Sequence, residues 1–385
     1  MINTPSGSKS GRMLAAVLIG PTQLEVREVP QPVCPEDGLR LRVAACGICG
    51  SDIRAFRGYK VIHGVHALGD EVLPGHIVGH EIAGVVDSVG PRVVGFRAGE
   101  RITVAPSLTC GECDACRRGQ SVVCRNYGAL GWQVPGGFAE YVGVPARLLA
   151  DGSINRIPDG VPAWKACLAE PLACAVQAQD ALQVEGGDVV LVIGGGPMGS
   201  LNLLLAKHRG ADFVAMADPN ECRRDLAKTL GADFTVDPKA PGAFSALLDG
   251  TGGRGFSVVI LAVSSIAPIR EVFQLSQEGR YPLLTPGARV NVFSGLDPGD
   301  TGFSLDARAL FYQGIAVIGT VNSAPQHNAE ALRLIGEGAV DVEPLVTSRL
   351  PLSQAPRAFE LAMSRPRVHQ KVVIEPWGDT AESSL

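Results

Sequence analysis

The 385-residue sequence lacks the features that mark membrane, secreted and nucleic-acid-binding proteins. No stretch approaches the 18 or more consecutive apolar residues of a membrane-spanning helix. The first twelve residues are polar and glycine-rich and contain no apolar signal core. The net charge is −5, so no basic excess favours contact with nucleic acid. We therefore expect a cytoplasmic protein that binds neither a membrane nor nucleic acid.

Apolar residues, in contrast, are abundant enough to build more than one core. Hydrophobic residues make up 46% of the chain and charged residues 19%. A chain of this length is too long for one ordinary domain and indicates two or three. Residues 1–12 and 377–385 are polar and are expected to be flexible.

Four cysteines stand in a C-x2-C-x2-C-x7-C array, at Cys110, Cys113, Cys116 and Cys124. Four thiolates at one tetrahedral centre suit Zn²⁺, and Gly111 and Gly119 give the connecting loop backbone freedom. Such a site has no open coordination position, so the zinc is expected to be structural. The alternatives are an iron–sulfur centre or two disulfides, and disulfides would need an oxidising compartment.

A glycine-rich turn lies between two apolar runs of the chain. Val189–Ile193 is typical of a strand buried on both faces, residues 201–208 of a helix, and Phe213–Ala217 of a second strand. The G-x-G-x-x-G sequence between the first strand and the helix permits a tight turn and lets the backbone approach a pyrophosphate. The pattern predicts a dinucleotide site formed by Gly194, Gly196, Pro197, Met198, Gly199, Asp218 and Arg223.

The acidic residue of this pattern bears on which dinucleotide binds. Asp218 ends the second strand, where a carboxylate can accept hydrogen bonds from an adenosine ribose and would repel a 2′-phosphate. We therefore expect NAD rather than NADP. Arg223 and Arg224 follow; they could receive that phosphate or lie solvated on the next helix. A glycine-rich turn in some other α/β protein is the simpler alternative, but the strand, helix and acid around it favour dinucleotide binding.

Strands and helices alternate from about residue 187 to residue 320. Residues 257–263 and 289–293 are two further apolar runs, the second following a Pro-Gly turn signal. The alternation predicts a doubly wound parallel sheet, in the α/β class. Residues 278–286 are predicted to form a small surface insertion between a helix and a strand.

A third motif, CGICGSD, begins at Cys46 and is followed 31 residues after Cys49 by His80 in the sequence GHE. A thiolate and an imidazole from separate segments suggest a second zinc site, with a position open for water or substrate. These motifs, the four-cysteine array and the glycine-rich turn occur in the same order in the zinc-containing medium-chain dehydrogenases. From about residue 13 to residue 375 the chain resembles the sorbitol/threonine dehydrogenase branch of that family.

The resemblance implies roles for individual residues. In that family the cysteine before Gly-Ser-Asp is a ligand of the catalytic zinc, and the resemblance assigns this role to Cys49 here. Ser51 would hydrogen-bond the substrate oxygen. Glu170 occupies an E-P-L sequence where simple alcohol dehydrogenases have a third cysteine. The implied catalytic zinc set is Cys49, His80, Glu81 and Glu170, with Glu170 bound directly or through water. Three other cysteines are expected to be packed in the core, namely Cys46, Cys167 and Cys174.

The chain departs from the family pattern beside Ser51. Many members have a histidine three residues after this serine or threonine, at the end of a proton relay. Here the residue is Arg54, which stays protonated and cannot pass a proton as histidine does. Arg54 could instead hold the cofactor pyrophosphate or an anionic group of the substrate. His76 is expected to be structural, while His63 and His66 lie in a long loop that could border the substrate.

The resemblance also implies an architecture and an activity. A GroES-like, β-rich catalytic domain of residues 13–172 and 321–376 would flank an inserted Rossmann domain of residues 173–320. The expected activity is hydride transfer between NAD and a secondary hydroxyl of a polyol, sugar derivative, cyclitol or amino alcohol. Two zinc ions per chain and a homodimer or homotetramer are expected. The alternatives are an NADP-dependent carbonyl reductase and a non-catalytic protein that still binds nucleotide.

Overall fold

The computed structural model describes residues 11–58, 75–293, 295–296, 301–364 and 370–378, and the backbone of residues 62–63 and 66–67. The side chains of His63 and His66, and residues 1–10 and 379–385, lie outside the described residues. Arg12 already belongs to the first strand. Among the described helices, none is both long enough and apolar enough to cross a membrane.

The strands of the described chain fall into two large sheets and three short pairs. In chain order they are β1 Arg12–Gly20, β2 Gln23–Pro30, β3 Leu39–Gly47, β4 Ile62–His63, β5 His66–Ala67, β6 Glu81–Val89, β7 Arg101–Val104, β8 Ser107–Leu108, β9 Gly128–Ala129, β10 Tyr141–Val144, β11 Ile154–Arg156, β12 Val189–Ile193, β13 Phe213–Ala217, β14 Phe234–Val236, β15 Phe256–Leu261, β16 Leu284–Val292, β17 Ala316–Gly319, β18 Val346–Pro351 and β19 Lys371–Glu375.

The helices are concentrated in the second half of the chain. In order they are α1 Gly50–Phe56, α2 Asp114–Arg117, α3 Ala146–Ala150, α4 Ala163–Ala166, α5 Ala169–Leu182, α6 Pro197–His208, α7 Glu221–Thr229, α8 Ala243–Gly250, α9 Ala267–Val272, α10 Ala307–Gln313, α11 Pro325–Gly336 and α12 Ala355–Met363. Short 3₁₀ turns occupy Ser121–Val123, Glu343–Leu345 and Leu352–Gln354.

The first large sheet has seven strands and joins the two ends of the chain. Its order is β11-β7-β6-β3-β19-β18, and β10 also pairs with β3. The sequence of β3 alternates fully and partly buried side chains, as expected of an antiparallel strand with one face on the core. Because β19 pairs with β3, a strand from residues 371–375 lies beside the segment that leads to Cys49.

The second large sheet is parallel, with the order β14-β13-β12-β15-β16-β17. All five residues of β12 are buried, because helices cover both faces of the sheet. The strand order reverses between β12 and β15, so the carboxyl ends of these strands border a crevice suited to a ligand. The predicted doubly wound parallel sheet is confirmed.

The predicted surface insertion at residues 278–286 is wrong. Tyr281 is 1% exposed, and Leu283 and Leu284 are also buried. The Tyr281 ring packs edge-on against Phe273, and its hydroxyl accepts a hydrogen bond from the backbone N–H of Asp306. Residue Leu284 already begins β16. The polar flanks of this segment concealed an apolar centre that closes one face of the parallel sheet.

Candidate active site and metal centres

A buried carboxylate joins the two segments that carry the predicted zinc ligands. Cys49 is the N-cap residue of α1, and its N–H donates to Asp52 Oδ2 at 2.9 Å. The other oxygen, Asp52 Oδ1, accepts from the N–H of Gly79 at 3.2 Å and lies 3.4 Å from His80 Nδ1. Burial opposes a charge on His80, but the neighbouring Asp52 carboxylate and Cys49 thiolate raise its pKa well above the usual value.

Small residues make room for the ligands. Gly79 has φ +99°, and a Cβ there would lie 3.0 Å from both Cys46 Sγ and the Phe138 ring. His80 and Glu81, the first residue of β6, can therefore follow directly after a turn that other residues would strain. Gly47 faces Glu81 across the sheet, and a Cβ at Gly47 would lie 2.0 Å from Glu81 Oε2. The β3–β6 pairing thus holds the Glu81 carboxylate close to the backbone.

The carboxylate of Glu81 is neutralised on one side only. Glu81 is fully buried, and its Oε1 forms a salt bridge with Lys371 Nζ, which also donates to the Ile48 carbonyl at 3.2 Å. Burial alone would lower the pKa of Lys371, but the Glu81 carboxylate, the Cys49 thiolate and the Glu170 carboxylate together outweigh it, and the pKa is raised. Glu81 Oε2 is buried with no hydrogen-bond partner among the described residues. An orphaned carboxylate oxygen of this kind needs a cation or a donor.

Three of the four predicted catalytic ligands meet in space. One ligand atom each from Cys49, His80 and Glu81 lies within 4.8 Å of the other two. A sulfur, a nitrogen and an oxygen that leave one position open form a donor set that fits a catalytic Zn²⁺. Glu170, in the first turn of α5, is not part of this cluster. Burial raises the pKa of Glu170 to about 7, while the nearby charge on His80 opposes that shift.

Two further side chains are close to predicted ligands, one in sequence and one in space. The Ser51 hydroxyl is buried and has no hydrogen-bond partner in the described part of the chain. The ring of Trp132 lies 6.4 Å from that of His80, centroid to centroid. Ser51 lies in the first turn of α1, two residues after Cys49, and Trp132 stands beside His80.

The four-cysteine array forms a compact cluster. The Sγ atoms of Cys110, Cys113, Cys116 and Cys124 approach one another at 3.5–4.0 Å, and all four cysteines are free thiols. Tetrahedral Zn–S bonds of roughly 2.3 Å place sulfurs about 3.8 Å apart, so the cluster fits zinc. The separations are too long for disulfides. Backbone N–H groups of Arg125 and Cys116 lower the pKa of Cys113 to about 6, which favours the thiolate.

The glycine-rich turn has the close packing that its sequence predicts. Gly194 has φ +104°, and a Cβ at Gly199 would lie 1.7 Å from the Gly194 carbonyl oxygen. Only glycine at both positions lets α6 approach β12 so closely. Gly196 caps α6 and Pro197 is its first residue, while Met198 is partly buried against the core. The free N–H groups of this helix end face the crevice at the end of β12.

Asp218 lies beside this turn and not in solvent. It is 3% exposed, and its two carboxylate oxygens accept from the N–H groups of Gly195 at 2.7 Å and Asn220 at 2.8 Å. Arg223 Nη1 lies 3.5 Å from Asp218 Oδ2. Arg224 donates to the Asp218 carbonyl at 2.8 Å. Of the two alternatives for this pair, the solvated one does not describe the structure, since both side chains fold back onto the end of β13.

The predictions for the other cysteines and for His76 are confirmed with one exception. Cys46 and Cys167 are buried in the core, as predicted. His76 is structural, because its Nε2 lies 3.0 Å from the Gly131 carbonyl next to Trp132. Cys174 is not a core residue: it is partly exposed, and its Sγ lies 4.0 Å from Glu170 Oε1. One helical turn separates Cys174 from Glu170, so both project from the same face of α5.

Comparison with known proteins agrees with this geometry. Residues 35–156 match the alcohol dehydrogenase GroES-like domain, and residues 197–337 match the zinc-binding dehydrogenase domain. An L-threonine 3-dehydrogenase from Pyrococcus abyssi is 31% identical over 91% of this chain and 96% of its own length. A 2-dehydro-3-deoxy-L-galactonate 5-dehydrogenase from Pseudoalteromonas atlantica is 31% identical over 90% and 94%.

Solved structures extend the similarity to three dimensions. A zinc-binding dehydrogenase from Sinorhizobium meliloti 1021, bound to NADP, has a TM-score of 0.82 at 28% identity and covers 95% of this chain and 100% of its own. The chain belongs to the zinc-containing medium-chain alcohol dehydrogenase family. It is an alcohol oxidoreductase with a GroES-like domain and a Rossmann domain, as the sequence predicted.

Sequence reasoning assigned no role to three residues of the site. Asp52 is the last residue of the motif CGICGSD. An acidic residue three positions after a helix N-cap can accept a hydrogen bond from the N-cap N–H, and this pattern could have indicated its role. Lys371 is the first residue of a strand that pairs far from its own position in the chain, so nothing local linked it to Glu81. Trp132 follows the four-cysteine array, and no periodic pattern indicated that it faces the metal site.

Proposed function

We propose that the protein is an NAD-dependent dehydrogenase that oxidises a secondary hydroxyl of a polyol, sugar derivative, cyclitol or amino alcohol. The supporting observation is the cluster of Cys49, His80 and Glu81 ligand atoms within 4.8 Å. The buried Ser51 hydroxyl, two residues after Cys49, has no hydrogen-bond partner among the described residues. Two zinc ions per chain are proposed, one at this cluster and one at the four-cysteine cluster. Glu170 is proposed as a further ligand, directly or through water.

The chain's own residues would prepare the site for this reaction. A zinc ion supplies Lewis-acid chemistry when it is bound, and a nicotinamide supplies the hydride acceptor. Asp52 orients His80 and the Cys49 segment, since it contacts both. Lys371 balances the charge of Glu81. Ser51 would hold the hydroxyl proton of the substrate, and Trp132 would exclude water from one side of the reacting carbon.

The substrate class is proposed from the relatives and from the polar character of the site. One relative is named for threonine and another for a sugar acid, and both substrates carry hydroxyl groups beside other polar groups. Glu170 is partly exposed, and its charge interacts with those of His80 and Glu81, so a Glu170 that acts through water is an acceptor suited to a ligand with several hydroxyl donors. A simple long-chain alcohol would offer this carboxyl group only one donor.

NAD is proposed over NADP because of the contacts at Asp218. A 2′-phosphate would meet a buried carboxylate and would have to draw Arg223 away from it. Arg224 is already bonded to the Asp218 carbonyl and lies 4.0 Å from Asp237. A carboxylate that accepts two backbone N–H groups can still accept a ribose hydroxyl, since each of its oxygens has two lone pairs.

The test of this function is reduced-cofactor formation across a panel of polyols, alditol phosphates, cyclitols and threonine, with NAD and NADP in parallel. We expect turnover of at least one class, with kcat/KM for NAD at least about tenfold above that for NADP, because the phosphate must displace a charge pair. A preference for NADP would contradict the cofactor assignment. Binding of nucleotide with one zinc and no turnover would support the non-catalytic alternative.

We also propose a homodimer formed through the edge of the parallel sheet. β17 is the last strand of that sheet, and an open strand edge can pair with the same strand of a second copy about a two-fold axis. Phe311 and Tyr312, on α10 just before β17, are 78% and 74% exposed. Aromatic side chains so exposed are typical of an interface. A cytoplasmic location is proposed as well, because the four clustered thiols must stay reduced to bind zinc.

Light scattering coupled to gel filtration tests the dimer. The unmodified protein should elute at twice the chain mass, and Phe311→Asp with Tyr312→Asp should weaken dimerisation by at least about a hundredfold, since buried aromatic anchors carry most of the binding energy. Val94→Asp is the matched control, because Val94 is 92% exposed but lies in the other domain. A monomeric wild type, or an unchanged mass in the double variant, would contradict the proposal.

A further inference from the structure

Arg54 connects the two domains across the crevice between them. Its Nη2 donates to the Gly295 carbonyl at 2.7 Å, a contact between residues 241 positions apart in sequence. Arg54 projects from α1, the helix whose N-cap residue is Cys49, whereas Gly295 follows β16 of the parallel sheet. The bond therefore links the metal-binding helix directly to the nucleotide-binding domain.

The position of Gly295 places this bond at the cofactor crevice. β16 ends at Val292, and the carboxyl ends of the parallel strands lie on the same edge of the sheet as the glycine-rich turn after β12. A ligand bound at that edge contacts the loops that follow the strands. A Cβ on Gly295 would lie 3.2 Å from Arg54 Nη1, so the guanidinium packs closely on this backbone as well.

A second bond joins the domains at the glycine-rich turn itself. Gln370, one residue before β19, donates from Nε2 to the Gly195 carbonyl at 2.9 Å. Gln370 is buried, as expected of a contact made inside the crevice. The catalytic domain thus holds the nucleotide domain at two loops of the same sheet edge, one after β12 and one after β16.

We propose that Arg54 is a positioning residue that holds the cleft at the spacing the dinucleotide requires. The inference rests on the dinucleotide binding of the proposed function. If the two domains are already held together in the free protein, binding does not have to select a rare closed form, and affinity rises accordingly. Arginine suits this work because its guanidinium is long, permanently charged and carries several donors in one plane.

Arg54 is the residue at which this chain departs from the family pattern, and cleft positioning gives that departure a function. Where many relatives have a relay histidine, this chain has a residue that cannot give up its proton but can reach the opposite domain. Arg54 then acts on cofactor binding and not on proton transfer. Ser51 remains the only hydroxyl that the proposed mechanism places next to the substrate oxygen.

The experiment measures NADH binding and backbone exchange in the zinc-loaded protein without alcohol present. Arg54→Leu should raise the Kd for NADH by about tenfold, the scale of a lost hydrogen bond from a charged donor. Amide hydrogen exchange over the peptide 284–296 should become faster in the cofactor-free variant and return toward wild type when NADH is added. Zinc content should not change, and Arg54→Lys should recover part of the affinity.

Arg57→Gln is the matched control, because Arg57 is exposed at the end of the same helix. The proposal is overturned if Arg54→Leu leaves both the NADH Kd and the exchange rate unchanged, or if Arg57→Gln has the same effect. In a separate steady-state assay with an alcohol that the enzyme oxidises, a raised KM for the alcohol with an unchanged Kd for NADH would also overturn it, since Arg54 would then serve an anionic group of the substrate. A wild type that binds NADH but oxidises nothing would contradict the proposed reaction and leave this test intact.

Discussion

Replacing Cys49 with serine should lower kcat/KM for alcohol oxidation by at least about a thousandfold, which corresponds to roughly 4 kcal/mol of transition-state stabilisation. The reason is that Cys49 supplies the soft ligand among the three atoms that meet within 4.8 Å. A serine hydroxyl is a poor zinc ligand at neutral pH. Bound zinc should fall from two ions to one per chain, as measured by mass spectrometry of the metal.

The matched control for this variant is Cys222→Ser. Cys222 is an exposed free thiol on α7, far in sequence from both cysteine motifs. The control should keep two zinc ions and full activity. An active Cys49→Ser enzyme with two zinc ions would contradict the assignment of the site, whereas NADH binding should survive in both variants because the glycine-rich turn is untouched.

Replacing Lys371 with methionine should destabilise the catalytic domain by about 3–5 kcal/mol, the usual cost of leaving one member of a buried ion pair without its partner. Lys371 and Glu81 have side chains that are 3% and 0% exposed. Removing the ammonium also leaves the Ile48 carbonyl without its donor. Urea unfolding followed by tryptophan fluorescence measures the effect, since the three tryptophans, Trp132, Trp164 and Trp377, all lie outside the parallel sheet.

Two further variants decide between a charge effect and a packing effect. The double variant Glu81→Gln with Lys371→Met should recover most of the loss, because no charge is then buried alone. Lys165→Met breaks a solvent-accessible pair with Glu343 and should cost less than about 1 kcal/mol. Equal losses in the single and double variants would show that Lys371 acts through its packing and not through Glu81.

The sequence was sufficient for the parts of the site that are continuous in the chain. The four cysteines need only a short loop to meet, so their spacing alone predicts the cluster that the structure contains. The strand, turn and helix around Gly194 likewise form a local unit whose period and glycines can be read directly. The order of strands in the parallel sheet then follows from general rules on how such units pack.

Contacts between distant segments were harder to predict. The salt bridge of Lys371 with Glu81 and the bond of Arg54 with Gly295 each depend on strand pairing and domain placement. Burial was also misread where short polar stretches flank an apolar centre, as at Tyr281. Cys174 shows a related difficulty, because helical spacing from Glu170 gives its face but not whether that face is packed or open.

The buried carboxylate of Asp52 has a consequence for redesigning the metal preference of this protein. It accepts an N–H from each ligand-bearing segment, so the backbone of both segments stays in place even when a ligand side chain is exchanged. Libraries that seek iron, cobalt or copper chemistry can therefore vary Cys49, His80 and Glu81 on a fixed framework. Any library that varies Asp52 removes the hydrogen bonds that hold these two segments, so its variants would differ in loop conformation as well as in metal preference.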